Sequence, residues 1–152
     1  MSTSSPAAMA LAKQVGIAMF AVDTATKDTM GIEILSCEPG KAVLRMTVQE
    51  LHLNGHKICH GGFIFTLADS TFAFACNSYN QNAVASACQI DFLAPARLGD
   101  VLEAEALERS RSGRTGIYDI TVRIRGGKTV ALFRGKSHRI DGEVIAGPQA
   151  RG

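Results

Sequence analysis

The sequence predicts an α+β domain: a six-stranded, mostly antiparallel β-sheet wrapped around one long central α-helix, with a short N-terminal helix in front. Three observations carry that expectation. Residues 61–79 are rich in Ala, Leu and Phe on nearly every side, the mark of a helix without a solvent face. Six further segments show the two-residue alternation of strands, two before this helix and four after it. Tight turn signals join consecutive strands, which favours antiparallel pairing over crossovers. With 46% hydrophobic and 20% charged residues, the 152-residue chain has the composition of one globular domain able to bury its own core. No internal repeat or low-complexity stretch divides it. The domain is therefore read as residues 1–152, with a core at about 30–140 and a flexible tail at about 142–152.

Leu11, Val15 and Met19 follow a four-residue spacing and predict an amphipathic helix over 9–20. Residues 23–29 are polar and read as a loop. Met30, Ile32 and Ile34 alternate as a first strand, and Glu38-Pro39-Gly40 makes a turn. Ala42, Leu44, Met46 and Val48 alternate with Val43, Arg45, Thr47 and Gln49 as a second strand. Residues 50–60, with His52, His56, His60 and Gly55, read as an ordered loop. The buried helix follows from Gly61-Gly62 to about Tyr79 and is ended by Asn80-Gln81-Asn82. Four strands come next, at 84–92, 101–107, 117–125 and 129–140, with Ser112-Gly113-Arg114 and Gly126-Gly127 as hairpin turns.

The net charge of +2 conceals an asymmetry. From Arg109 to Arg139 stand nine Lys and Arg and a single acid, Asp119, so a local charge of about +8 faces about −6 on the rest of the chain. Such a block is either a solvated face or an anion site, for the phosphates of a nucleotide-like ligand or of nucleic acid. Neither a recognition-helix pattern nor interleaved aromatics accompany it, which argues against nucleic acid. No window reaches 18 uninterrupted apolar residues, so no membrane span is expected. The first residues lack the basic start of a secretory signal, and Cys37, Cys59, Cys76 and Cys88 form no C-x-x-C pair. They are expected to be free thiols in a reducing cytoplasm.

Between Lys57 and Asp91 the only residue of type Asp, Glu, Lys or Arg is Asp69, set in Phe63-Ile64-Phe65-Thr66-Leu67-Ala68-Asp69-Ser70-Thr71-Phe72. It is either a solvent-facing helix position or a carboxylate whose surroundings tune it as a general base or nucleophile. Eight residues before it, His60-Gly61-Gly62 stands where loop becomes helix. The first N–H groups of a helix are unpaired and lie at the positive end of its dipole, a ready site for a developing oxyanion. Asn54 can orient a water or a carbonyl. His52, His56 and His60 share a four-residue spacing, but the intervening glycines break a helix there and nothing completes a metal shell, so no metal is expected. A Cys59 nucleophile beside His60 is the lesser alternative. There is no G-x-S-x-G elbow and no G-x-x-x-x-G-K-[ST] phosphate loop.

The run Asn54-Gly55-His56-Lys57-Ile58-Cys59-His60-Gly61-Gly62, followed by Leu67-Ala68-Asp69, closely resembles the hotdog-fold acyl-CoA thioesterases, specifically their phenylacetic acid degradation (PaaI-type) branch. Phe72-Ala73-Phe74-Ala75-Cys76-Asn77, Val84-Ala85-Ser86-Ala87-Cys88 through Asp91-Phe92, and residues 129–139 fit that branch too, so the resemblance spans roughly 31–140. It implies subunits that pair their sheets edge to edge, dimers that assemble into a homotetramer, and an active site at the dimer interface. It implies that the Gly61 N–H polarises the thioester carbonyl while Asp69, from the partner subunit, attacks that carbon or activates a water. It implies further that Asn54 positions the water or acyl group, that His60 supports the carbonyl end, and that Ser86 places a hydroxyl near the attacking group. No external cofactor is implied. Phe63, Leu67 and Phe72 are candidates for the acyl pocket as well as for the core. Arg111, Arg114, Arg134, Lys136 and Arg139 are candidates for the phosphates of coenzyme A, and the 93–97 turn for the flank of its pantetheine arm. The substrate expected from the resemblance is an aromatic acyl-CoA. A hotdog dehydratase using His60 and Asp69 as acid and base, and a non-catalytic acyl-CoA sensor, are the alternatives.

Overall fold

A serine and a proline start the first helix. Ser5 accepts the Ala8 N–H at 3.2 Å, and Pro6 takes the first helical position, where no N–H is needed. In the computed structural model, which describes residues 3–146, α1 runs Pro6–Val22, longer at both ends than the expected 9–20. The expected loop at 23–29 contains a π-helical turn, Ala25–Thr29, tied back by the Asp23 carboxylate, which accepts the Thr26 N–H at 3.1 Å. Gly31 adopts a φ of +65°, and this left-handed residue delays the first strand: β1 is Glu33–Glu38 rather than 30–34.

After β2 (Lys41–Thr47) and a 3₁₀ turn (Glu50–His52), the central helix α2 runs Gly61–Cys76 and stops short of Tyr79. Asn77 stops it. Its Nδ2 donates to the carbonyls of Ala73 and Ala83, and its Oδ1 accepts the Ala83 N–H at 2.9 Å, so the side chain joins the helix end to the next strand. The remaining strands are β3 (Ala83–Phe92), β4 (Val101–Ser112), β5 (Thr115–Ile124) and β6 (Thr129–Arg139). All six form one antiparallel sheet in the order β1-β2-β4-β5-β6-β3, so β1 and β3 are its edges.

The alternation read from the sequence decides the layers. Leu44, Met46, Leu102, Ala104, Tyr118, Ile120 and Phe133 point inward onto α2 and are buried, while Glu103, Glu105, Asp119 and Arg134 point outward. The expectation of a helix apolar on nearly every side needs one correction. Ile64, Leu67, Ala68, Thr71, Phe72 and Ala75 are buried, but Gly62 is exposed and Thr66, Asp69 and Ala73 are half-buried. This stripe runs beside β3, which is itself exposed along most of its length. Of the expected tail, residues 147–152 lie outside the described residues; within the described part, Ile145 exchanges two hydrogen bonds with the Asn80 side chain.

Gly135 of β6 sets how closely α2 approaches the sheet. A Cβ there would come within 2.8 Å of three carbons of the Phe72 ring. That ring is 1% exposed and is held against Tyr118 and Phe133, with centroids 5.5 and 6.1 Å away. It has nowhere to retreat. Gly135→Ala is therefore expected to lose about 1–3 kcal/mol by overpacking, seen as a lower urea midpoint; a midpoint equal to wild type would show that the ring yields.

Candidate active site

The loop before α2 is built by backbone. Asn54 N–H donates to the Ile58 carbonyl and Lys57 N–H to the Asn54 carbonyl, both at 2.9 Å, with Lys57 at a φ of +58°. The Asn54 side-chain oxygen accepts the N–H groups of His56 and Ile58. Asn54 thus shapes the loop with its oxygen, and its amide nitrogen makes no hydrogen bond among the described residues. Cys59 N–H donates to the Ala96 carbonyl at 2.7 Å, which lays the 93–97 turn against the loop. His60 N–H donates to the His52 carbonyl at 2.8 Å.

His60 is the N-cap of α2, and its Nδ1 accepts the Gly62 N–H at 3.1 Å. Phe63 and Ile64 N–H groups donate to the His60 carbonyl. The Gly61 N–H makes no hydrogen bond among the described residues, at the positive end of a sixteen-residue helix. The Phe92 ring of β3 lies against the Gly61 Cα, so close that a Cβ there would meet Cζ at 3.1 Å. This end of the helix can stabilise an anionic oxygen.

Asp69 stands further along α2, half-buried and turned toward β3. Burial raises its pKa above the ordinary 3.8. The Cys88 thiol donates to its Oδ1 at a long 4.0 Å. A bulge in β3 produces that contact. Ala85 pairs with Ser137 and Ala87 with Lys136, leaving Ser86 between them without a partner position. The extra residue reverses the alternation, so that Cys88 points at α2. Ser86 itself donates to the Lys136 carbonyl at 3.1 Å on the exposed edge. A cavity of about 370 Å³ opens beside Asp69, lined by Phe72 and Ala73 of α2, Val84 and Ala85 of β3, and Met19 of α1. A larger hollow of about 830 Å³ between α1 and β1 contains none of the expected site residues.

The five basic candidates fall into two groups. Arg111, Arg114 and Arg139 line one pocket of about 270 Å³ at the β4–β5 hairpin, together with Tyr79 and Gln81. A second bulge, at Arg109 of β4, turns Arg111 inward, where its guanidinium lies 3.5 Å from the centroid of the Tyr79 ring. Tyr79 and Tyr118 both donate to Glu108 Oε2, at 3.0 and 2.8 Å, and burial with this acceptor pushes the Tyr79 hydroxyl up to about 12. This pocket adjoins the Asp69 cavity, the two sharing Cys76 and Ala83. Arg134 and Lys136 project from the other face of the sheet. Arg134 clasps the Asp119 carboxylate at 2.6 and 2.8 Å, Arg109 shares it at 2.9 Å, and the pair of cations holds the Asp119 pKa down.

The lesser alternatives find no support. Cys59 is buried, its thiol pushed up to about 11, and its Sγ faces the His60 carbonyl rather than the imidazole. His52 is fully buried against Phe63, with Nδ1 accepting the Gln49 N–H. Among the described residues no three His, Cys, Asp or Glu are placed to hold a metal ion. No described helix is long and apolar enough to cross a membrane. All four cysteines are free, and only Cys88 is exposed. Residue-level reading missed Cys88, Tyr79 and Met19 as neighbours of the site, because two bulges and a helix packing angle place them there.

Comparison with known proteins agrees with this geometry. The family model described as thioesterase superfamily matches residues 56–131. The acyl-coenzyme A thioesterase PaaI of Escherichia coli is 54% identical over 127 residues, covering 84% of this chain and 90% of that protein. The solved structure of the E. coli PaaI protein from the phenylacetic acid degradation operon superposes with a TM-score of 0.86 at 52% identity, covering 89% of this chain and 97% of the other. A Streptococcus mutans protein solved with acetyl CoA bound superposes with a TM-score of 0.70 at 27% identity over 74% of this chain and 90% of its own. With half its length matched by the family model and a relative above half identity along most of it, the chain belongs to the thioesterase superfamily, and its sheet-wrapped helix is that family's hotdog fold.

Proposed function

We propose that the protein is an acyl-CoA thioesterase that hydrolyses arylacetyl thioesters, such as phenylacetyl-CoA or hydroxyphenylacetyl-CoA, to the free acid and coenzyme A. The observation that carries this reading is on α2: one helix bears both an unpaired first-turn amide, Gly61, and a desolvated carboxylate, Asp69. Thioester hydrolysis asks for these two elements, an oxyanion donor and a base or nucleophile. The operon of the E. coli relative supports the aromatic acyl group.

Eight helical residues separate the two groups, about 12 Å of rise at 1.5 Å per residue, whereas reacting atoms must meet at about 3 Å. One chain cannot bring them to the same carbonyl. A dimer can, if the exposed edge β3 of one subunit pairs with that of another and brings the two α2 stripes together. Two such dimers form the proposed homotetramer. The Gly61 amide of one subunit then holds the carbonyl oxygen, with His60 beside it and the Asn54 amide nitrogen directed at the water or acyl group. Asp69 of the other subunit attacks the thioester carbon or takes a proton from the attacking water, the C–S bond breaks, and the thiolate of coenzyme A leaves. Ser86 lies on the pairing edge near that carboxylate. Arg111, Arg114 and Arg139 receive the phosphates. Arg134, already clasping Asp119, and Lys136 are assigned a secondary part at most, since they stand on the sheet's outer face.

Asp69→Asn is expected to lower kcat by about 10²–10⁴-fold while KM stays within a few-fold, measured as thiol release from phenylacetyl-CoA. Turnover near wild type would remove Asp69 from the mechanism; binding without turnover in the wild type would leave an acyl-CoA sensor. The same variant is expected to melt higher at pH 7. Burial raises the native pKa above the unfolded one, so the native state gains stability only as pH falls through that raised value and is penalised while Asp69 is ionised. Asparagine removes the penalty, and a lower Tm would contradict it. Arg111→Ala and Arg114→Ala are expected to raise KM for the CoA ester at low salt, less at high salt, and not for the phosphate-free pantetheine ester. Equal effects on both esters would place the phosphates elsewhere.

A further inference from the structure

Two of the residues that line the cavity beside Asp69 lie outside the segment that the family model matches: Met19 of α1 and Val144 of the C-terminal segment. Neither arrives there by chance of a loose chain end. Met19 packs against the core from the last turns of α1. Val144 is carried on a strap fastened at both sides of it. Asn80, 7% exposed, accepts the Ile145 N–H through Oδ1 at 2.9 Å and donates through Nδ2 to the Ile145 carbonyl at 3.0 Å. Asn82 N–H donates to the Gly142 carbonyl at 3.2 Å, and Ile140 N–H donates to the Asn82 carbonyl at 2.8 Å. Asn80 holds a φ of +60° to make its pair of bonds, a conformation that asparagine tolerates better than most residues. The strap therefore returns from β6 across the end of α2 and sets a valine at the rim of the cavity.

The cavity's volume of about 370 Å³ compares with about 150 Å³ for a cavity that takes up one benzene molecule. That volume has room for an aromatic ring with a short linker. We propose that Met19 and Val144 are the specificity-determining wall of the acyl pocket: they cap its far end, admit arylacetyl groups and turn away acyl chains that reach beyond them. This rests on the thioesterase reading above and adds the part of the chain that sets acyl length. The chemistry is steric and apolar. Apolar contacts of this kind discriminate by about 10–200-fold per methylene gained or refused.

The test is the ratio of kcat/KM for a long ester, decanoyl-CoA, to that for phenylacetyl-CoA, in wild type and four variants. Met19→Ala and Val144→Ala are expected to raise the ratio about 10-fold or more. Met19→Phe, which fills the cavity, is expected to lower it. Asn80→Gly keeps the positive φ without strain but releases the strap, and is expected to raise the ratio as Val144→Ala does. A general loss of stability lowers both esters together and leaves the ratio where it was. Val144→Ala and Asn80→Gly touch the strap rather than the core, so the test survives a poorly folded Met19 variant. A wild-type ratio kept within twofold by Val144→Ala and Asn80→Gly, in an enzyme that still cleaves phenylacetyl-CoA, overturns the wall and leaves the thioesterase standing. A wild type that cleaves neither ester overturns both.

Discussion

The rotation of α2 about its own axis decides what this protein presents to solvent, and Phe72 sets that rotation. The ring lies on a strand position that has no side chain, Gly135, and is flanked by Tyr118 and Phe133. With Phe72 pinned inward, a residue three positions earlier is turned about 60° to one side at 100° per residue. That residue is Asp69, which accordingly faces the edge strand β3 rather than the sheet centre. Phe92, at the far end of that strand, lies against Gly61 at the start of α2. A carboxylate placed over the middle of the sheet would be fully buried and unpaired, at a cost the fold could not carry. At the edge it is desolvated enough to be a better base and open enough to be reached.

The layers of this fold were legible in the sequence because they depend on periods. Alternation of two placed Leu102, Ala104, Tyr118 and Ile120 inward, and a stretch from Lys57 to Asp91 whose one charge is Asp69 marked the helix they surround. Boundaries followed less well, because single side chains and single φ values set them. Asn77 ends α2 by bonding to two segments at once, and Gly31 postpones β1. The site divides in the same way. His60, Gly61, Asn54 and Asp69 are local to one loop and one helix, and their order along the chain already places the first three around the helix start and Asp69 about two turns further on. The basic residues are not local. Arg111 and Arg134 look alike in a charge count, yet one is turned over Tyr79 by a bulge and the other is spent on Asp119. No pattern in the sequence announces a bulge.

Two bulges, at Ser86 and Arg109, thus do for this sheet what a longer loop does elsewhere. Each shifts the alternation by one residue partway along a strand. On β3 the result is that Val84 and Ala85 wall the cavity on one side of the bulge while Cys88 reaches Asp69 on the other. On β4 the buried Leu102, Ala104 and Ala106 give way, beyond the bulge, to an inward arginine. The core and the cavity-lining end of the sheet are therefore the same strands read in two registers.

The cap made by His60 fixes which side of its ring faces the helix. Because Nδ1 accepts the Gly62 N–H, the neutral ring must carry its hydrogen on Nε2. The imidazole in that tautomer offers a hydrogen-bond donor outward. The bond that starts the helix thus also decides which ring nitrogen faces away from it.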